Sequence, residues 1–369
     1  MGVMVRLGIV GFGVHGRHTL AAGIFGGKVL NGKLTAVCDI NPEKLAWVKE
    51  NHADIKTFEC PEAMFKSGEI DAVLIATPHY DHPPLAMQAM DAKLHVLIEK
   101  PAGVYTKAVR EMNKKAETAG VVFSIMYNQR TNPLYRKMHE MVQGGELGEL
   151  KRFSWIITDW YRPQAYYDSG GWRATWKGEG GGVLINQCPH NLDLWQWICG
   201  MPKSISAQVH HGKWHDIEVE DDVTAYAEYE NGATGVFITS TADCPGTNRF
   251  EILGDLGKLV CEGGKLMHTK LEISEREFNR TNKEMFASPK STTMELDCPG
   301  DAGHVVAHMG ILNNFIDAIS KGEKLIAPGE EGINGLTISN AIHLSGWLGK
   351  KIDLPLDEDL FKAELEKRF

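Results

Sequence analysis

Residues 5–16 read V-R-L-G-I-V-G-F-G-V-H-G. Val5 to Val10 is a short apolar run closed by glycine, the pattern of a parallel strand buried on both faces. Gly11-Phe12-Gly13-Val14-His15-Gly16 then supplies G-x-G-x-x-G, and a helical stretch follows. Glycine-rich turns match this pattern by chance, so its meaning comes from its place between a strand and a helix. There the first glycine makes the turn, the second admits a diphosphate to the backbone, and the third lets helix pack on strand. The helix N-terminus faces the phosphates and stabilises their charge. The next strand, Leu34 to Cys38, delivers Asp39 23 residues after Gly16, close to the ~20 expected of a ribose-binding acid. A carboxylate there accepts from the ribose hydroxyls and repels a 2′-phosphate, and Ile40 beside it brings no positive charge. The expected cofactor is NAD, with NADP disfavoured.

Outward from this turn the pattern repeats. Asn41-Pro42 opens a helix to about Ala53, with proline in the first turn where its missing N–H costs nothing. Ala72 to Ala76 reads as a buried strand, His82 to Met90 as a helix, and His95 to Ile98 as a strand running into Glu99-Lys100-Pro101. Thr106 to Ala119 is helical up to Gly120, and Val121 to Met126 is the next strand. Strands alternating with helices at this spacing mean βαβ units and a parallel sheet. The texture changes after about residue 128. A helix over Pro133 to Val142 leads into strand-like aromatic sequence, a glycine triplet, and an apolar helix ending at Cys199. From Ser204 to about Leu266, short strands are joined by turns such as Asn231-Gly232 and Asp255-Leu256-Gly257, for which antiparallel pairing is natural. Helices follow near 305–320 and 332–349. The fold class is α/β, with a Rossmann dinucleotide-binding domain over 1–127 and an α+β domain over 128–369, whose C-terminal helix is free to pack back on the first domain.

The totals restrict the function. A chain of 369 residues is too long for one core. Its formal net charge of −9 and lack of a basic block argue against a nucleic-acid partner. Seven cysteines without a C-x-x-C pair suit free thiols in a reducing compartment. No apolar run reaches the ~18 residues of a membrane span. Glycines interrupt the first apolar stretch too soon for a signal peptide, and Arg6 stands where acylation at Gly2 would need Ser or Thr. A soluble, cytoplasmic protein with no membrane partner is expected.

With Glu99-Lys100-Pro101 at a Rossmann strand end, the chain resembles the glucose–fructose oxidoreductase / inositol dehydrogenase / MocA (Gfo/Idh/MocA) family. Ala76-Thr77-Pro78 with His82 looks like that family's nucleotide-side loop, and Asn128-Gln129-Arg130 with Pro133 like its domain junction. Trp172-Arg173 precedes Gly180-Gly181-Gly182, after which Asn186-Gln187-Cys188-Pro189-His190-Asn191-Leu192-Asp193 and Glu251-Ile252-Leu253-Gly254 complete the match. The resemblance implies a second domain on an open, mostly antiparallel sheet, often used to form a homodimer or homotetramer. It implies hydride transfer to or from a small carbohydrate or polyol, cofactor contacts extending to Glu99, Lys100 and Asn128, Lys100 as the catalytic lysine and His190 as the catalytic acid/base. Asn186 stands where inositol dehydrogenase-like members have Asp, although some branches carry Asn.

The same residues read from chemistry agree. On a helix starting near Gly182, residues 186, 190, 193 and 197 share a face, as Asn, His, Asp and Trp. Polar side chains aimed one way in an apolar helix are costly to bury unless satisfied or used. A satisfied core network is the alternative, and His190-x-x-Asp193 gives only two metal ligands, so no metal is expected. Oxidising an alcohol needs a base for the hydroxyl proton, which suits His190. It also needs a donor for the reacting oxygen, which suits Lys100. Asn186 can orient His190 without the anionic support of Asp.

Eight aromatics between Phe153 and Trp176, Trp160 and Trp172 among them, read either as a carbohydrate wall or as core and interface. Arg173 is a cofactor or substrate contact, and Tyr127, Asn128 and Arg130 are expected to line an interdomain cleft. His304-Val-Val-Ala-His308 has the two histidines of a zincin helix without its Glu, and reads as structural. Two other functions stay open: a glycosidase that oxidises its substrate transiently with a retained NAD, and a sensor that binds the dinucleotide without chemistry.

Overall fold

The computed structural model describes residues 4–299 and 303–369; Gly2 lies outside them. The chain divides into two compact units. One comprises the described residues of Met1–Thr131 and Ala302–Leu336, the other those of Asn132–Asp301 and Thr337–Phe369.

In the first unit, β1 (Val5–Val10), β2 (Gly32–Cys38), β3 (Lys56–Phe58), β4 (Ala72–Ile75), β5 (His95–Ile98) and β6 (Phe123–Ile125) form one sheet. Its order is β3-β2-β1-β4-β5-β6 and every pairing is parallel. The strand order reverses between β1 and β4, and in such sheets ligands bind outside the strand carboxyl ends at that reversal. Central strands such as β4 are buried on both faces, which explains their continuous apolar sequence. Local signals set the flanking helices: the Asn41 side chain caps Pro42–Asn51 by accepting from the Glu43 N–H, and Gly120, at φ 69°, ends Thr106–Ala119. The helix opened by the glycine turn begins as π-helix over Gly16–Ala21 before continuing as Ala22–Phe25.

The second unit is built on a nine-stranded sheet. Its strands are β7 (Leu150–Ile157), β8 (Ser204–His211), β9 (Glu220–Glu228), β10 (Thr234–Ser240), β11 (Asn248–Gly254), β12 (Gly257–Glu262), β13 (Lys265–Leu271), β14 (Ser291–Leu296) and β15 (Ile352–Asp353). Their order is β14-β13-β12-β11-β7-β10-β9-β8-β15. Only β7 and β10 pair in parallel; the rest are antiparallel. Burial alternates along β10, β11 and β12, so one face carries the core and the other is half-exposed. On the core face Trp155 stacks on Phe250 with centroids 4.2 Å apart. The helix Pro189–Cys199 docks there through Trp195, stacked 5.4 Å from Phe237. A Cβ on Gly235 would lie 2.6 Å from the Trp195 ring, so the docking needs glycine in β10.

The helix His304–Lys321 belongs to the first unit. The C-terminal helix Glu358–Glu366 belongs to the second unit, where Phe361 stacks on Trp347. One expectation is corrected. The helix expected from Gly182 starts at Pro189, because Gly182 to Cys188 forms separate hydrogen-bonded turns. All seven cysteines are free thiols. Among the described residues no helix is long and apolar enough to cross a membrane.

Trp155 is 0% exposed at the centre of the larger sheet. Trp155→Ala should lower unfolding stability by ~3–5 kcal/mol, measured by urea denaturation; a loss below ~1 kcal/mol would contradict this packing.

Candidate active-site residues in each unit

In the first unit the glycine turn lies at the β1/β4 reversal. Gly11 has φ +91°, and a Cβ there would lie 2.5 Å from the carbonyl oxygen of Ala76, just beyond β4. A Cβ on Gly16 would lie 2.2 Å from the Gly11 oxygen. A Cβ on Gly13 would meet nothing within 4 Å. The first and third glycines are thus required by close packing, whereas the second faces open space. Val14 is exposed and Phe12 is buried against Trp47.

Asp39 is buried at the end of β2. Oδ2 accepts from the Phe12 N–H at 2.7 Å and Oδ1 from the Asn41 N–H at 2.8 Å. Its carboxylate is therefore oriented by the glycine turn itself. Ile40 is 89% exposed and uncharged. The sequence reading nevertheless overlooks a cation: Lys44 Nζ, on the next helix, lies 3.0 Å from Asp39 Oδ2.

At the end of β5, Glu99 is buried and His15 Nε2 lies 2.7 Å from its Oε1. Burial pushes the Glu99 carboxyl up, but the His15 charge and hydrogen bond, helped by Lys100, outweigh it and hold it far below the ordinary range. Burial likewise lowers His15, and the Glu99 charge and hydrogen bond reverse this, leaving His15 raised. Lys100 is half-buried, its N–H donates to Glu99 Oε2 at 3.3 Å, and its bond to Pro101 is cis.

His82 is fully buried, with Nδ1 2.7 Å from the Pro101 carbonyl and Nε2 2.9 Å from the Thr77 carbonyl. It ties the Ala76-Thr77-Pro78 loop to the Glu99-Lys100-Pro101 end, and so positions these segments. Thr77 Oγ1 and Asn128 Oδ1 are buried without a hydrogen-bond partner among the described residues. Orphaned polar atoms beside an open glycine cradle fit a dinucleotide that supplies the missing partners. Tyr127 and Arg130 are corrected: both are buried within the first unit. Tyr127 Oη donates to the Gly332 carbonyl at 3.4 Å, and Arg130 Nη1 pairs with Glu331 Oε2 at 2.5 Å.

In the second unit, every residue from Glu179 to Gln196 is buried except Asn186 and His190. Asp193 is buried and accepts from Gln196 Nε2 at 3.1 Å, so it braces the helix from within. Trp197 stacks on His139 at 3.7 Å. The glycine triplet exists because Gly182 sits against β9, where a Cβ would lie 2.0 Å from the Glu220 carbonyl oxygen. The buried Glu220 carboxylate accepts from the Gly182 and Leu184 N–H groups at 2.8 and 2.9 Å and meets His343 Nε2 at 3.1 Å. Burial pushes Glu220 up, but His343 and these N–H donors outweigh it and hold it low.

Asn186 donates through Nδ2 to Oε1 of Glu179, which is 2% exposed. Glu179 Oε2 accepts from the Ala174 N–H at 2.6 Å, while Arg173 Nη1 lies 3.9 Å from Oε1. Arg173 also donates to Tyr166 Oη at 2.6 Å, and Tyr166 reaches Asn186 Oδ1 at 3.5 Å. Asn186 is therefore backed by a carboxylate and held by a charged network. Sequence reasoning missed Glu179 and Glu220; the signal was Glu179 immediately before the glycine triplet, an acid in sequence otherwise bound for the core. Among the aromatics, Phe153, Trp155, Tyr167 and Trp176 are core. Trp160, Tyr161, Tyr166 and Trp172 retain exposure, and Trp160 Nε1 donates to Asn191 Oδ1 at 3.3 Å.

Residues 5–127 match the family model described as "Oxidoreductase family, NAD-binding Rossmann fold", and 135–260 match the Gfo/Idh/MocA C-terminal domain. The chain belongs to the Gfo/Idh/MocA family. Relatives that it matches are named as dehydrogenases. The oxidoreductase YdgJ of Escherichia coli is 29% identical over 208 residues, covering 56% of either chain. The match thus spans little more than half of that relative. Myo-inositol 2-dehydrogenase of Thermotoga maritima is 22% identical over 96% of this chain and 99% of its own. The WlbA dehydrogenase of Bordetella pertussis, solved with NADH and UDP-GlcNAcA, superposes with a TM-score of 0.80 at 24% identity, covering 96% of this chain and 99% of its own. It shares the fold.

Burial raises the pKa of Glu179 against the bonds from Ala174 and Asn186 and the charge of Arg173. A carboxyl raised on folding stabilises the native state most at low pH, and that contribution fades as pH rises through its folded value. Glu179→Gln has no proton to lose there. As pH rises above the ordinary carboxylate value of 4.5, the native protein should lose stability relative to this variant in urea titrations; a constant difference would refute the raised pKa.

Proposed function

We propose that this Gfo/Idh/MocA enzyme is an NAD-dependent oxidoreductase that moves a hydride between nicotinamide and a hydroxyl-bearing carbon of a sugar, inositol or glycoside. The observation that carries the reading is the pattern over 179–196, where Asn186 and His190 alone escape full burial. A polar pair kept accessible in such a segment, with Asn186 backed by the buried Glu179, is arranged for use rather than for packing.

NAD would be held by the Gly11–Gly16 turn, Asp39, the Thr77 and Asn128 side chains and the Glu99–Lys100 strand end; when bound, it supplies the hydride acceptor. Lys100 stabilises negative charge on the reacting oxygen. His190 takes the hydroxyl proton as general base and returns it in the reverse direction. Asn186 orients the substrate or His190, and Arg173, Trp160 and Trp172 offer a cation and apolar faces to a sugar ring. The half-exposed outer face of the nine-stranded sheet supports assembly as a homodimer or homotetramer.

A panel of sugars, inositols and glycosides with free NAD, followed at the NADH absorbance, tests the reading. At least one polyol should give NADH, and Lys100→Ala and His190→Ala should each lower kcat by ~10²–10⁴-fold. Release of sugar from glycosides without net NADH would instead favour hydrolysis by transient oxidation. Turnover unchanged in Lys100→Ala would remove the catalytic assignment.

Asp39 favours NAD, whereas Lys44 offers a 2′-phosphate some compensation. The ratio of kcat/KM for NAD over NADP should be at least ~10, and Lys44→Ala should increase it without weakening NAD use. A preference for NADP would overturn the assignment of NAD.

A further inference from the structure

The helix His304–Lys321 brings its first two histidines to the glycine turn of the same unit. One ring nitrogen from each of His15, His304 and His308 lies within 4.8 Å of the other two. The rings are in contact: centroids are 4.1 Å apart for His304 and His308 and 5.1 Å for His15 and His308. Among the described residues this is the one group of three or more His, Cys, Asp or Glu side chains converging in this way.

Three further observations give the cluster the character of a ligand set. His308 is buried, and its Nδ1 lies 2.7 Å from the His304 carbonyl oxygen. That carbonyl can only accept, so Nδ1 carries the hydrogen and Nε2 keeps its lone pair, the tautomer a metal requires. Glu99 Oε1, 2.7 Å from His15 Nε2, puts a carboxylate beside a prospective ligand ring, as metal-bound histidines commonly have. His304 is exposed, so the cluster opens to solvent and can be loaded from it. The spacing His304-x-x-x-His308 puts both rings on one helix face, one turn apart. The third ligand, His15, comes from the first turn of the helix after the glycine turn, 289 residues before His304, so the spacing within His304–Lys321 alone does not reveal it.

We propose that His15, His304 and His308 form a binding site for one divalent transition-metal ion of the zinc class. Three imidazoles without thiolate favour Zn(II), Co(II), Ni(II) or Cu(II) over magnesium and calcium, which need oxygen ligands. Ligand nitrogens about 2.0–2.1 Å from tetrahedral zinc stand ~3.4 Å from one another, so the rings must close by rotation about their side-chain torsions. Three protein ligands leave the fourth position to water or another small ligand. The site uses neither Lys100 nor His190, but it shares His15 with the glycine turn and has Glu99 of the β5 end beside it.

Co(II) is the probe, because tetrahedral binding gives visible d–d absorption. Full-length protein stripped with a chelator and then titrated with Co(II) should bind one equivalent with such bands, and Zn(II) should abolish them. His304→Gln, an exposed substitution that should leave folding intact, should weaken Co(II) binding by at least ~100-fold, as should His308→Gln. His210→Gln with His211→Gln should leave binding unchanged. Absence of a one-to-one site, binding retained in His304→Gln, or binding lost with His210 and His211 would each overturn the proposal. The readout is binding alone, so it stands or fails separately from any dehydrogenase assay.

Discussion

The first unit is organised by one backbone contact, the approach of Gly11 to the carbonyl of Ala76. A Cβ at this position would stand 2.5 Å from that oxygen, a separation no side chain tolerates. Glycine lets the chain turn at the tip of β1 while β4 runs alongside, and Gly16 repeats the device where the helix leaves the turn. Asp39 then fastens the tip of β2 to the same turn through the Phe12 N–H. His82 carries the connection from the Thr77 carbonyl to the Pro101 carbonyl, and so to Lys100. Strand ends from four parts of the sequence are thus held by backbone groups and a few buried polar side chains, which determine where a ligand's phosphates and ring can sit.

The second unit solves a similar problem with buried carboxylates. Removing an ion from water is expensive unless hydrogen bonds replace its hydration. Glu220 has two backbone N–H donors and a histidine, enough to keep it low. Glu179 has one backbone donor, an amide and a more distant guanidinium, so burial prevails and its pKa rises. The two acids clamp the glycine triplet and the turn before the helix from opposite sides of the balance between desolvation and bonding. Asn186 inherits its orientation from that clamp.

Periodicity and turn chemistry made most of the architecture legible. The helix Thr106–Ala119 with its glycine stop, the parallel strands and the antiparallel run after Ser204 all follow from local signals. What local signals do not carry is pairing between distant segments. His304–Lys321 has the same apolar periodicity whichever core it joins, and the sequence does not say that it joins the first. Tyr127 and Arg130 look like site residues beside Asn128, but their partners at 326–332 are 200 residues away. A helical turn, not adjacency in sequence, brings Lys44 to Asp39. From Gly182 the apolar residues satisfy helical spacing, while Glu220, far downstream, accepts from the Gly182 and Leu184 N–H groups and holds the segment in turns.

The exposed Tyr161 and Trp172 and the half-buried Trp160 and Tyr166 lie in a stretch with little regular structure, whereas His190 stands on a helix wedged into a packed sheet. Mutation therefore meets two very different landscapes within 40 residues of sequence. Changes on the loop typically disturb stability by under ~0.5 kcal/mol, whereas changes around the helix open cavities at several times that cost. A lineage can rewrite what the loop touches many times over while His190 stays where it is. Diversification by drift on one segment and stasis on its neighbour is the evolutionary behaviour this arrangement makes cheapest.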